Sequence, residues 1–310
     1  NSLEGTYGGA GIGVEEKATL LITKESTGRL TATGGGYGAA GIGGRATVPD
    51  YENTIISYKT GTIEIQGGNI HAVGGDCWLM GSAVHLGGAG IGTGMYGIGG
   101  TVRILGGTVK AEGGKDTGAG IGGGDNGAVD SIQIGEKNGE APEVEASSWN
   151  VKYGAAIGSG WNAQSGLKLS CGTINIFSGN LKVKGNIGYG GIDKNEGNEQ
   201  IGGSVDISEQ VKLKLTDGTI EPRGTTCTFG KKTFQMTVYD NQLSDGTYSV
   251  KIRFYQEGDT ARNTPVYETD AEMKVSAFKG TIPTVTEWLG FTGEMSVVAE
   301  VTDSQNNTVT

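Results

Sequence analysis

Long apolar runs are missing from this 310-residue chain. No stretch approaches the ~18 consecutive apolar residues of a membrane-spanning helix, so no membrane span is predicted. Basic residues are in the minority, 24 Lys and Arg against 34 Asp and Glu, which gives a formal net charge of −10. Nucleic-acid binding needs a basic surface to neutralise phosphates, and the same deficit argues against an anionic membrane surface. There are only three cysteines, Cys77, Cys171 and Cys227, an odd number at no metal-ligand spacing. They predict neither a regular disulfide framework nor a metal site, with a Cys171–Cys227 bridge the one pairing left open. The two histidines, His71 and His85, have no Ser/Asp or Cys partner implied by the sequence. The glycine-rich phrases lack the Gly-Lys-Ser/Thr ending and the strand-to-helix context of a phosphate loop, so no cofactor is expected. Residues 123–126 (GGDN) resemble a calcium β-roll repeat once only, without its nonapeptide period.

What the chain has instead is 60 glycines arranged around three phrases that recur in fixed order: T-I-x-I-x-G-G, N/T-V-x-A-x-G-G and G-A-G-I-G-G. The clearest copies are residues 61–75 (GTIEIQGGNIHAVGG) and 100–114 (GTVRILGGTVKAEGG), followed by 87–94 (GGAGIGTG) and 118–124 (GAGIGGG). Residues 172–185 (GTINIFSGNLKVKG) are a looser copy. Each phrase alternates apolar and polar residues, so its apolar members share one side of an extended chain. Aligned, the phrases give a first column of Ile22, Ile65, Ile104, Ile134, Ile176 and Ile207. The second is Ala32, Ala72, Ala111, Ala146, Val183 and Leu213, and the third Ile42, Ile91, Ile121, Ile157 and Ile192, with Ile12 in a partial coil. A coil that buries its apolar face only against its neighbours needs such columns, and glycine pairs turn the corners. The prediction is an all-β parallel β-helix of about six coils. A flexible Gly-rich linker would carry no periodic Ile.

Successive members of the third column from Ile12 to Ile157 lie 30, 49, 30 and 36 residues apart. A fixed core with a variable remainder places the insertions in loops, where function concentrates. The longest, residues 76–86 (DCWLMGSAVHL), holds Trp78, Met80 and His85 and reads either as a local cap over the coil or, with Asp76, as the edge of a ligand groove beside Tyr96. Trp149 and Trp161 flank Tyr153 around another coil. Tyr7, Tyr37, Tyr96, Tyr153 and Tyr189 all precede a third phrase, which predicts an aromatic ladder along one edge, stacked between coils or offered to sugar rings. The ligand-binding candidates are therefore Trp78, His85, Tyr96, Trp149, Tyr153 and Trp161.

No catalytic residues are expected. Glycosidases use two carboxylates ~5 to 10 Å apart, whereas the outward positions of the first phrase read Glu64, Arg103, Gln133, Asn175 and Asp206, with no acids on neighbouring coils. Those of the second, Thr31, His71, Lys110, Glu145, Lys182 and Lys212, read as a solvated face. The loop acids Asp116, Asp125, Asp193 and Glu196 are the remaining candidates for an active site.

The repeat decays after Leu215, and residues 221–224 (EPRG) read as a boundary, dividing the chain into 1–222 and 223–310. Beyond it, residues 233–240, 248–256, 271–278 and 293–303 alternate in polarity and predict a small antiparallel β-sandwich of immunoglobulin-like type, although no Cys-Trp-Cys pattern occurs and Trp288 reads as a core or interdomain residue. The chain opens on residues 8–13, already inside a repeat, and stops in strand-like sequence at 306–310, as an excised piece of something longer would.

The phrases GTVRILGGTVKAEGG and GAGIGGG resemble the Gly-rich right-handed parallel β-helix repeats of large surface proteins from Gram-positive gut bacteria, over about residues 8–215. The resemblance implies a right-handed helix and an extracellular location, at the cell surface or secreted. Such helices serve as adhesins, as spacers and as carbohydrate-active or carbohydrate-binding regions. This chain lacks a cell-wall sorting motif and a pectate-lyase or polygalacturonase constellation. The expectation is a non-catalytic module whose partner is a glycan or a host or cell-surface component. A glycan-active enzyme with loop carboxylates, or a pure spacer, are the alternatives.

Overall fold

In the computed structural model, residues 1–47, 57–78, 85–164, 166–193, 197–239, 243–256, 265, 267–290 and 295–302 are described, with the backbone alone at 284–288 and 295. Among them there is no helix, and hence none long and apolar enough to cross a membrane. The chain divides into two compact units, Asn1–Cys227 and Thr228–Thr310.

The first unit is built from three parallel sheets that the chain visits in turn. The first phrase supplies six strands: Thr19–Ile22, Thr62–Ile65, Thr101–Ile104, Ser131–Ile134, Thr173–Ile176 and Ser204–Ile207. The second supplies seven, from Ser2–Glu4 through Asn69–Val73, Thr108–Glu112 and Glu143–Ser147 to Lys212–Thr216. The third phrase supplies seven two-residue strands, from Ile12–Gly13 through Ile91–Gly92, Ile121–Gly122 and Ile157–Gly158 to Ile220–Glu221. Within each sheet a strand pairs with its equivalent on the next coil, the stacking of a β-helix. Ile104 lies between Ile65 and Ile134, Ala111 between Ala72 and Ala146, and Ile121 between Ile91 and Ile157. All nine of these side chains are fully buried, while Glu64, Arg103 and Gln133 line the outer side. Period-two alternation thus fixes the register, because a one-residue slip would turn every Ile outward.

The third phrase needs glycine for a specific reason. Gly43, Gly92, Gly122 and Gly158 have φ between 134° and 139°. A Cβ at any of them would lie 1.9 to 2.0 Å from the carbonyl oxygen of the next glycine in the column. Side-chain-bearing residues are excluded there by backbone conformation and by space together.

Two column assignments change at the eroded end of the repeat. The third column continues through Ile187 and Ile220, not Ile192. Ile187 is followed by Gly188 at φ 113°, which supplies the required corner; Ile192 is followed by Asp193 and instead bridges Asn162, five residues beyond the column on the preceding coil. In the second sheet Val183 pairs with Leu215, so Leu213 belongs beside Leu181, and the outward partner of Lys182 is Lys214 rather than Lys212. Cys77, Cys171 and Cys227 form no disulfide, which removes the Cys171–Cys227 pairing.

The second unit departs from a two-sheet sandwich. Its described strands form one antiparallel sheet in the order Gly230–Tyr239, Lys279–Leu289, Tyr267–Ser276, Gly246–Gln256, Met295–Thr302. A single flat sheet would leave its apolar face bare, and this one curls. Phe234 on an edge strand meets Phe254, with two strands between theirs in the sheet, at a ring-centroid distance of 5.0 Å. Val250, Ile252, Phe254, Met273, Val275, Ile282, Leu289 and Val301 fill the curl. The strand Lys279–Leu289 carries Pro283, whose missing N–H argues against a strand. The structure accommodates it where the register shifts, between the Phe234–Val285 and Met236–Ile282 pairs.

Candidate functional site

The third phrase is a tight loop before it is a strand. The amides of Ala89, Ala119 and Ala155 donate to the carbonyls of Thr93, Gly123 and Ser159 at 3.0, 2.8 and 3.0 Å, so each G-A-G-I-G closes on itself. Residues just before and just after the phrase are therefore neighbours. Three consecutive connections leading into this loop stack on one another: residues 74–78 with 85–90, 113–120 and 148–156, which follow the paired strands Asn69–Val73, Thr108–Glu112 and Glu143–Ser147.

The first connection carries the insertion. Asp76–Cys77 and Leu86–Gly87 pair antiparallel as the base of a hairpin, and Met80 lies outside the described residues. The base is seated on the second connection. The His85 amide donates to Asp116 Oδ2 at 2.9 Å, the Gly87 amide to Thr117 Oγ1 at 2.7 Å, and the Lys115 amide to Asp76 Oδ1. Thr117 Oγ1 lies 3.3 Å from the His85 carbonyl, to which it donates. Lys115 Nζ lies 3.1 Å from His85 Nε2. A lysine ammonium only donates, so Nε2 is the acceptor in this contact. Trp78, next to buried Cys77, is 62% exposed.

The third connection carries Trp149, 66% exposed, and Tyr153. The Tyr153 ring packs on Trp161, from beyond the third phrase, with centroids 4.9 Å apart at 55°. The Trp161 amide donates to the Thr117 carbonyl at 3.1 Å, and the Asn126 amide to the Trp161 carbonyl at 2.7 Å. Thr117 thus joins the His85 hairpin on one side to the Tyr153–Trp161 pair on the other.

Beneath Thr117 lies Asp125, with no exposed surface. Asn126 Nδ2 donates to its Oδ2 at 2.5 Å, and Oδ1 has no partner. Burial pushes the Asp125 carboxyl up to about 7, against the lowering effect of the Thr117 and Asn126 hydrogen bonds. Burial, then the Asp125 charge, raises the Cys77 thiol and pushes the Tyr96 phenol up to about 12. The Tyr96 amide donates to the Asp125 carbonyl at 2.7 Å.

Five of the six predicted binding residues, Trp78, His85, Trp149, Tyr153 and Trp161, sit on or against these stacked connections. Tyr96 lies on the other side of the phrase, partly buried. The expected tyrosine ladder does not form. Tyr7 and Tyr37 precede Ile12 and Ile42 by five residues, the position of Asp116 before Ile121, and all three have φ between 49° and 69°. Tyr96 follows Ile91 by five residues, as Lys17 follows Ile12 and Asn126 follows Ile121, again at positive φ. Tyr153 and Tyr189 occupy neither position.

The loop acids do not converge either. Asp116 is engaged by His85, Asp125 is enclosed, Asp193 lies two coils further along on the far side of the third phrase, and Glu196 is outside the described residues. Among the described residues no group of three or more His, Cys, Asp or Glu is placed to hold a metal ion. The outer faces are occupied by ion pairs. Arg103 holds Glu64 at 2.6 Å, and Glu112 holds both Lys110 at 2.6 Å and His71 at 2.9 Å. Burial raises the Glu112 carboxyl, but the bonds from Lys110 and His71 outweigh it and leave it low. Sequence reasoning missed Lys115 and Thr117. The signal was their register, since K-D-T at 115–117 falls on the connection next to the insertion.

Aromatic faces, an imidazole, an ammonium and a carboxylate on one strip of surface can stack against apolar ring faces and hydrogen-bond hydroxyl groups. Compared with protein-family models, with curated proteins and with solved structures, the chain matches none.

Proposed function

We propose that this chain is a non-catalytic extracellular module, a right-handed parallel β-helix of about six coils, that binds glycan and so serves adhesion. The observation that carries the reading is the pair Trp78 and Trp149. Both are exposed by more than three-fifths, and both stand on the connection between second and third sheets. One coil separates theirs, which at ~4.8 Å per coil sets the two connections roughly 10 Å apart. Lys115 and Asp116 stand on the intervening connection and are bonded to His85. A core does not require exposed tryptophans, whereas a sugar chain lying along the stack presents C–H faces to successive indoles and hydroxyls to the polar strip. The ion-paired strands Thr101–Ile104 and Thr108–Glu112 carry no aromatic side chain.

Affinity electrophoresis through gels containing soluble plant, fungal or host polysaccharides tests the reading. Retardation by at least one of them is expected. Trp78→Ala or Trp149→Ala should weaken it by at least about 2 kcal/mol, roughly 30-fold, as removal of a hot-spot aromatic does. Retardation by none of the panel would leave the spacer reading in its place.

A further inference from the structure

The outer face of the second sheet changes sign along the stack. On the strands Asn69–Val73, Thr108–Glu112 and Glu143–Ser147 the bases are matched by acids: Glu112 holds His71 and Lys110, and Glu145 lies 4.0 Å from Lys110. On the next two strands, Asn180–Lys184 and Lys212–Thr216, the outward positions hold Lys182, Lys184, Lys212 and Lys214 and no acid. All four lysines are exposed. Among the described residues none of them joins an ion pair. Lys182 and Lys214 are direct partners in the parallel register, Lys184 pairs with Thr216 and Lys212 with Asn180. The acid in register with the group is Glu145, opposite Lys182. Like charges directly opposite destabilise a sheet, so in a chain with 34 acids and 24 bases this cluster is not explained by folding.

The cluster adjoins the aromatic strip. The Ser148 amide donates to the Lys184 carbonyl at 3.2 Å, so Lys184 lies beside the residue that leads into Trp149. The connections that follow the two lysine-bearing strands are short. Residues 185–186 and 217–219 stand where the preceding coils have 113–120 and 148–156.

We propose that the polysaccharide bound along the Trp78–Trp149 strip is a polyuronate, whose sugar rings carry carboxylates, and that Lys182, Lys184 and Lys214 pair with those carboxylates where the strip runs past Trp149. This inference rests on the glycan reading and adds the charge of the ligand to it. Each residue of such a polymer brings a ring face for an indole and an acceptor for a charge-assisted bond from an ammonium. A phosphodiester chain without rings would satisfy the lysines and give the indoles nothing to stack on, and a neutral glycan would do the reverse. Lys182 and Lys214 stand on strands ~4.8 Å apart and Lys182 and Lys184 ~7 Å apart along one strand, a spacing comparable to one ring of a sugar chain.

The test is calorimetric titration of the full chain with alginate, hyaluronan and unsulfated chondroitin, each as the acid polymer and as its methyl ester, and with polyphosphate. At least one acid polymer should bind about tenfold tighter than its own ester, the sum of a few exposed ion pairs. Raising the ionic strength to the physiological value should weaken the acid polymer and not the ester. Combining Lys182→Gln, Lys184→Gln and Lys214→Gln should lower affinity for the acid polymer about tenfold, to that of the ester, with circular dichroism as the check on folding. Equal affinity for acid and ester, or unchanged affinity in the triple variant, overturns the polyuronate inference and leaves the glycan reading standing. Polyphosphate bound as tightly as the acid polymers overturns it as well, because charge without rings then suffices. Binding of none of the acid polymers also overturns it, and retardation by neutral polysaccharides then decides the glycan reading separately. Should the triple variant fail to fold, the acid–ester and salt contrasts in the parent chain decide alone.

Discussion

The parallel stack and the antiparallel sheet bury similar residues and specify them in different ways. In Asn1–Cys227 every inward position is repeated coil after coil, so Ile65, Ile104 and Ile134 each report the same environment. In Thr228–Thr310 no position is repeated, and Phe234 finds Phe254 only because the whole sheet curls. Register in the stack is a nearest-neighbour property, whereas in the sheet it is a property of the complete fold. Stability should follow the same division, local in the stack and all-or-none in the sheet.

Backbone geometry provides the sharpest break between the two. Gly122→Ala puts a methyl 1.9 Å from the Gly158 carbonyl oxygen at φ 134°, and should cost more than about 4 kcal/mol or prevent the coils from closing. Gly246→Ala, on a strand of the sheet, meets nothing nearer than a Tyr248 ring carbon at 3.9 Å and should cost less than about 1 kcal/mol. Chemical denaturation of the two variants measures the contrast; equal costs would mean that the glycine column is not what closes the stack.

Core truncation comes next. Ile104→Ala and Ile252→Ala both remove fully buried side chains, and each should cost about 2 to 5 kcal/mol. Exchange mapping should separate them. The first should lose protection mainly on the coils that pair with Thr101–Ile104, the second across all five strands of its sheet. A uniform loss throughout the first unit in Ile104→Ala would show that the stack also melts as one body.

Surface ion pairs should distinguish the units least. Arg103 in the stack bridges Glu64 and Glu136, and Arg253 in the sheet bridges Glu268 and Glu300. Partly exposed pairs contribute ~0 to 1 kcal/mol, so Arg103→Ala and Arg253→Ala should each shift the denaturation midpoint slightly and alike. A large loss in either would mark its network as part of the core.

The same contrast governs what was legible in the sequence. The first column was readable in full because six Ile fall at one register with glycine corners between them. Where the corners erode the reading slipped: residues 185–192 (GNIGYGGI) offer two Gly-flanked Ile, and only Ile187 has the glycine after it that the turn requires. Residues 96–100 (YGIGG) misled in the same way. They mimic a third phrase but follow the true strand Ile91–Gly92, which put Tyr96 in a ladder it does not join. In the second unit alternation marked strands but carried no information on how many sheets they make, and Pro283 hid the strand Lys279–Leu289 because the bulge that tolerates it is a pairing property. Trp78 and Trp149 were legible as candidates from the insertions around them. Thr117 and the enclosed Asp125 were not, because their roles depend on which connections stack.

The central claim is that Trp78 and Trp149 form one binding strip across stacked connections. Calorimetric titration with the polysaccharide that retards the parent chain most strongly, run on the parent, Trp78→Ala, Trp149→Ala and the double variant, tests it most directly. Each single variant should lose roughly 30-fold in affinity, and the double variant should bind too weakly to measure, with circular dichroism unchanged. Parent-like affinity in both single variants would contradict the claim.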